Sequence, residues 1–189
     1  TFNFKSFDQK MNGDSGRVKF RFRTYPFGEE YQKLVRVELK VRQGNLSIKK
    51  SNFIPIVEYQ HFMKNHHWIS YQSPITNAFE YQMLTQNLHP MVLVAYEREG
   101  YQTRIQSSLR ITFDHNVRST HAKSLFPNNV FYRWLYPKNV ILEIKFSDSL
   151  PRWIEFLARQ QGLKVVANSK YTQSLLVSGH DLHHPNNVI

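Results

Sequence analysis

Between residues 35 and 42 the chain reads Val35-Arg36-Val37-Glu38-Leu39-Lys40-Val41-Arg42, aliphatic at every odd position and charged at every even one. A period of two is the signature of a β-strand with one dry face and one ionic face, so this stretch predicts the wall of a sheet. The pattern recurs. Gly16 to Arg23 alternates Arg17, Lys19, Arg21 and Arg23 with Val18, Phe20 and Phe22; Leu109 to Asp114 and Leu142 to Phe146 repeat it. Strands of one design, with charges mostly of one sign, imply a common cationic surface.

The charge balance agrees. Lys and Arg total 25 against 14 Asp and Glu, a formal net charge of +11, so the expected partner is polyanionic. With 14% aromatic residues the composition is that of a packed domain rather than a disordered tail. The absence of cysteine excludes disulfides and thiolate metal sites. No run approaches the roughly 18 apolar residues of a membrane span. A length of 189 residues, without a Pro/Gly/Ser-rich linker, reads as one domain over 1–179 followed by a tail at 180–189. Because the chain opens on Thr1, it is expected to be a fragment or a trimmed product.

In chain order, the Phe2 to Phe7 stretch reads as a weak first strand. Turn chemistry at Met11 to Gly16 and at Tyr25 to Glu30 then frames the first basic strand. That strand is expected to pair antiparallel with the Val35 strand, placing Arg21 and Arg23 on the face of Glu38 and Lys40. Gln43-Gly44-Asn45 turns into a short strand in which Ser47 and Lys49 share the polar side. Helical spacing between Asn52 and His89 predicts two helices, with Pro55 and Pro74 near their starts. Met91 to Arg98 is an apolar strand presenting Tyr96 and Arg98, and His121 to Pro137 is loop. Ser149 is expected to cap a helix that ends at Gly162, and a last helix begins near Ser169.

These elements define an α+β protein on an antiparallel sheet. Closing the sheet into a β-barrel with flanking helices would turn the polar faces inward as a basic tunnel; an open sheet with an exposed cationic face satisfies the same periodicity. The shared face collects Lys19, Arg21, Arg23, Lys40, Arg42, Lys49, Arg98, Arg110 and Lys145, with Glu38, Asp114 and Glu143 among them. Close cation pairs repel by about 1 to 4 kcal/mol at effective dielectrics of about 80 to 20, so the set calls for a multivalent anion such as a phosphate chain. Arg offers forked donors to phosphate and Lys a point charge, while a lone carboxylate suits a hard divalent metal already bound to phosphates. Ser169 and Lys170 open the last helix, where backbone N–H groups favour an anion, although an ordinary cap reads equally well. His180 to His184 carries metal-ligand residue types in a Pro/Asn-rich tail. No GxSxG, Walker-type or HExxH motif is present.

On the pieces Lys19 to Tyr25, Glu38-Leu39-Lys40, Tyr96-Glu97-Arg98, Leu109 to Asp114, Leu142 to Lys145 and Ser169-Lys170-Tyr171, taken in order, the chain resembles the VTC domain. That domain is the polyphosphate polymerase module of the vacuolar transporter chaperone complex and its bacterial relatives, within the CYTH-like triphosphate tunnel metalloenzymes. The resemblance implies that Arg21, Arg23, Lys40, Arg98 and Arg110 are catalytic and hold phosphates along a tunnel. It implies that Lys19, Lys49, Tyr96, Lys145, Ser169 and Lys170 contact substrate phosphate, and that Glu143 binds manganese or magnesium. ATP and inorganic polyphosphate are the implied partners, with no nucleic acid, in the cytoplasm or at the cytoplasmic face of a membrane beside a membrane-protein partner. The chain departs from the family at its start, where a further basic or Glu-rich strand is missing or is replaced by Phe2 to Phe7. A triphosphatase and a non-catalytic polyphosphate-binding module are the alternatives. The Arg/Lys surplus leans away from hydrolysis. Phe20, Phe22 and Phe113 alternate away from the cationic face, against base stacking on an open sheet.

Overall fold

The computed structural model describes residue 12 and residues 16–25, 33–44, 46–103 and 109–178. The Phe2 to Phe7 strand, most of the turn leading to the Val35 strand, and the 180–189 tail with His180 lie outside them. The chain divides into two compact units, 1–91 with 122–128, and 92–121 with 129–189.

In the first unit, β1 (Gly16–Arg23), β2 (Leu34–Gln43) and β3 (Leu46–Pro55) form a three-stranded antiparallel sheet in sequence order. Gly44, at φ +57°, supplies the left-handed residue of the β2–β3 turn. β3 runs five residues beyond the short strand expected to end at Lys50, because its partner β2 continues to offer ladder groups back to Leu34, opposite Pro55. Pro55 then closes β3 and stands at the N-cap of α1 (Ile56–Asn65), and Pro74 occupies the first turn of α2 (Pro74–Gln86), behind a capping box of Ser73 and Thr76. Both helices fall where the Asn52 to His89 spacing places them.

Alternation decides which face these helices cover. Val35, Val37 and Ile54 are fully buried, and with Phe20, Phe22 and Leu39 they pack against Tyr59, Phe62, Phe79 and Met83 of the helices. Phe22 meets Tyr59 edge-on at 5.0 Å, and Phe62 stacks on Trp68 at 3.8 Å. Trp68 donates its indole N–H to the Thr76 carbonyl at 2.8 Å, which allows so large a side chain to be enclosed. Glu58 is buried too, and accepts from the N–H groups of Ile69 and Ser70, both at 3.0 Å. The opposite face of the sheet carries the charges.

The second unit is built on β5 (Arg110–His121). Its whole length pairs with β4 (Val92–Gln102), while its other edge is shared by β6 (Arg133–Trp134) and β7 (Ile141–Lys145), all antiparallel. β5 therefore extends seven residues past Asp114, and β6 lies inside the 121–137 stretch expected to be loop. A register shift between Ala95 and Glu97 marks a bulge, and Asn116 answers it with φ +51°. Two helices complete the unit, α3 (Arg152–Gln160) and α4 (Lys170–Val177), the latter against β4 and β5 with Thr172 and Leu175 buried. The α3 cap is Pro151, without a side-chain bond, rather than Ser149: the ring supplies a fixed φ two residues later. Gly162, at φ +62°, ends the segment as expected.

The α+β class and the antiparallel pairing are as the alternation predicts. No closed barrel is found among the described residues. Among the described residues the strands form two separate sheets, because no described ladder joins β1, β2 or β3 to β4, β5, β6 or β7.

Candidate functional site

In the first unit the register sets Lys19 opposite Lys40, and Lys40 opposite Lys49, so three lysines stand in one row across three strands. The next row is Arg21, Glu38 and Ser51, and the next Arg23, Arg36 and Phe53. One carboxylate organises these cations. Glu38 is 2% exposed and receives Arg21 through an ion pair and an Nε–H hydrogen bond of 2.6 Å. Lys49 Nζ lies 2.8 Å from its other oxygen, Arg36 Nε 3.6 Å away and Arg23 Nη2 at 4.0 Å. Burial alone would raise the acid's pKa. The Lys49 contact and the charges of Arg21 and Arg23 overcome it and hold the carboxyl down at about 2.

Arg36 and Tyr25 complete this surface. Arg36 donates to Ser51 Oγ at 2.8 Å and stacks over Phe53. Arg23 donates to the Tyr25 hydroxyl at 3.1 Å. Burial would raise the phenol's pKa, but Arg23 and Arg36 outweigh it and hold the pKa below its ordinary value. Arg42 turns to the Gly44 carbonyl at 3.1 Å. Lys40 is exposed and has no ion-pair partner among the described residues.

The second unit repeats the device with Asp114. This residue is fully buried, and Arg98 grips it with a fork, Nε to Oδ1 at 2.5 Å and Nη2 to Oδ2 at 2.7 Å. Lys170 Nζ reaches Oδ2 at 2.5 Å from the first turn of α4. Desolvation pushes the acid up, but these two cations prevail and its pKa lies below the ordinary value; Arg98 is correspondingly held charged, first by its hydrogen bonds to Asp114. Tyr96 lies under both cations, 5.2 Å from the Arg98 guanidinium and 5.0 Å from Lys170 Nζ.

Glu143, on β7, stands opposite Thr112. Its half-exposed carboxylate lies 3.5 Å from Arg98 Nη2 and 3.3 Å from Lys145 Nζ. Arg110 pairs in register with Lys145 and is exposed, with no ion pair among the described residues. Ser169 spends its hydroxyl within α4, accepting from the Thr172 N–H at 3.4 Å and lying 3.0 Å from the Thr172 hydroxyl. That is the ordinary N-cap arrangement.

The candidate residues thus fall into two sets, each gathered by the fold: Lys19, Arg21, Arg23, Lys40 and Lys49 on one sheet, and Tyr96, Arg98, Arg110, Glu143, Lys145, Ser169 and Lys170 on the other. The family model described as VTC domain matches residues 1–178. The chain belongs to the VTC domain family. No curated protein matches it. Membership ties this VTC domain to polyphosphate metabolism, and two cationic faces with buried carboxylate anchors suit a polyanionic ligand.

Among the described residues of this VTC domain, no group of three or more His, Cys, Asp or Glu is placed to hold a metal. No described helix is long and apolar enough to cross a membrane.

Proposed function

We propose that this VTC domain is a polyphosphate polymerase that transfers the γ-phosphoryl group of ATP onto a growing polyphosphate chain. The observation that carries this reading is the row Lys19, Lys40 and Lys49. Like charges directly opposite one another on adjacent strands are destabilising, and an anion with a charge on every repeat relieves them together.

Glu38 and Asp114 are consumed in anchoring cations, so neither is available as a base. None is needed, because the terminal phosphate of the acceptor is already an anion. Catalysis then reduces to alignment and charge neutralisation. Arg21, Arg23 and Lys40 hold the chain, and Arg98 and Arg110 stabilise the transferring group, with Tyr96, Lys145 and Lys170 as further phosphate contacts. The fork on Asp114 fixes Arg98 before substrate arrives, and fixed donors cost no reorganisation during transfer.

Glu143 is the half-exposed acid of the second set. With Asp114 engaged by Arg98 and Lys170, and no group of three or more acid or His side chains placed to hold a metal among the described residues, a single carboxylate fits a magnesium or manganese ion that arrives on the phosphates of ATP, not one held in a protein cage. Such an ion supplies charge neutralisation at the phosphate oxygens when bound. The carboxylate of Glu143, freed from Arg98 and Lys145, would be its protein ligand.

The test is to incubate the protein with ATP and manganese and to resolve the products on a gel stained for phosphate chains. Chains accumulating with ADP are expected. ADP and free phosphate without chains would replace the reading with a triphosphatase; salt-sensitive polyphosphate binding without turnover would replace it with a binding module.

A further inference from the structure

A second basic constellation lies in the first unit, on residues that none of the phosphate-face contacts uses. A cleft of about 380 Å³ opens beside the end of α1 and takes lining residues from four segments, including Met63, Lys64 and His66 at that end and Met83 from α2. His89 comes from the segment after α2, and Lys123 from the 122–128 stretch. His66, in the lining, is the α1 cap and adopts the left-handed conformation, at φ 56°. Its ring centroid lies 6.4 Å from that of His89.

The lining contains two Lys and two His but no Asp or Glu. Neither Lys64 nor Lys123 has an ion pair among the described residues, unlike Arg21 and Arg98, which are each paired with a buried acid. Two lysines lining a hollow without an acid leave their charge unmatched there, which an anion completes, and the two histidines add ring nitrogens beside them. The methionine lining is soft and apolar, suited to the carbon body of an organic group. A volume of this size is that of a small-molecule site.

We infer that this cleft binds a small organic phosphate monoester, its phosphate held by Lys64, His66, His89 and Lys123 and its carbon body lying on Met63 and Met83. The site is separate from the lysine row of β1, β2 and β3 and does not depend on the polymerase reading.

Phenyl phosphate is the probe, titrated into the full chain by calorimetry while the histidine ring resonances are followed by NMR. The His66 and His89 resonances should move in step with binding, and Lys64→Glu with Lys123→Glu should weaken the affinity by about tenfold or more. Should that pair fail to fold, Lys123→Gln carries the same test with a smaller expected loss. Arg21→Ala should leave this affinity unchanged, and phenol and inorganic phosphate should each bind less tightly than phenyl phosphate. The inference is overturned if the two rings do not respond, if the lysine variants bind as the parent does, or if Arg21→Ala abolishes the signal. Inorganic phosphate binding as tightly as phenyl phosphate would remove the organic body from the assignment.

Discussion

Arg98 and Asp114 form a two-pronged pair, 2.5 and 2.7 Å long, around a carboxylate with no exposed surface. A buried charge is tolerated only while its partners stay in place, and here they arrive from β4 and from the N-terminus of α4. The carboxylate thus joins a strand to a helix as well as aiming two cations. Asp114→Asn keeps the shape and removes the charge, leaving Arg98 and Lys170 facing an amide. Breaking a buried pair costs about 3 to 5 kcal/mol, and the expected result is a loss toward the lower end of that range, measured by urea unfolding. A change under about 1 kcal/mol would mean that Asp114 does not anchor these side chains.

Glu38 yields a pH prediction. Its carboxyl lies at about 2 in the folded protein, against 4.5 for the free side chain. A group whose folded pKa is depressed contributes stability that is fully present above the unfolded value and is lost as pH falls through the folded one. The Glu38 contribution is therefore intact above about pH 4.5 and disappears toward about pH 2. Acid titrations of the parent and of Glu38→Gln, followed by circular dichroism, should show the variant less stable near neutrality and the two curves converging in acid. A constant gap down to about pH 2 would contradict the assignment.

How far this site could be read from residues alone depends on what alternation encodes. Period two fixes which side chains share a face, so the sequence alone groups Arg21, Arg23 and Lys40 with Glu38, as the register does. The proline positions likewise located α1 and α2. Alternation does not encode depth. Glu38 and Lys40 occupy equivalent places in the same strand, yet one is enclosed and the other solvated, because Glu38 carries the opposite charge to its neighbours and draws Arg21, Arg23, Arg36 and Lys49 over it, whereas Lys40 stands between two further lysines. Arg36 belongs to the same cluster, yet in the sequence it is indistinguishable from the other charges of the repeat. The signal that could have singled out Glu38 is its place as a lone acid among cations of β1, β2 and β3; for Asp114, it is its place as the one acid of the alternating strand β5. Parity also fails at the bulge near Tyr96, where period-two counting loses its phase. Sheet closure depends on hydrogen bonds between distant strands, on which local periodicity is silent.

Lys40 should show function opposing stability. It stands directly between Lys19 and Lys49. Lys40→Met keeps the length of the side chain and removes the central charge, and should raise stability by about 0.5 kcal/mol. Polyphosphate affinity should fall about tenfold, with a shallower dependence on salt, as one fewer cation engages the chain. Thermal unfolding and binding titrations at two salt concentrations measure both effects. Unchanged affinity would remove the lysine row from the binding surface.

Glu143 separates chemistry from binding. Its carboxylate is half exposed, and its contacts to Arg98 and Lys145 are the long, solvated kind, which contribute between nothing and about 1 kcal/mol. Glu143→Gln should therefore leave unfolding stability almost unchanged. Removing a negative charge beside Arg98, Arg110 and Lys145 should leave polyphosphate binding equal or tighter. Chain synthesis should nonetheless fall by about a hundredfold or more if the carboxylate holds the metal that neutralises the transferring group, and added manganese should restore part of it. Binding and synthesis falling together would instead identify Glu143 as a residue that positions Arg98 and Lys145, because the loss would then appear before the chemical step. A metal ligand predicts the opposite split: a chain that still binds and no longer grows.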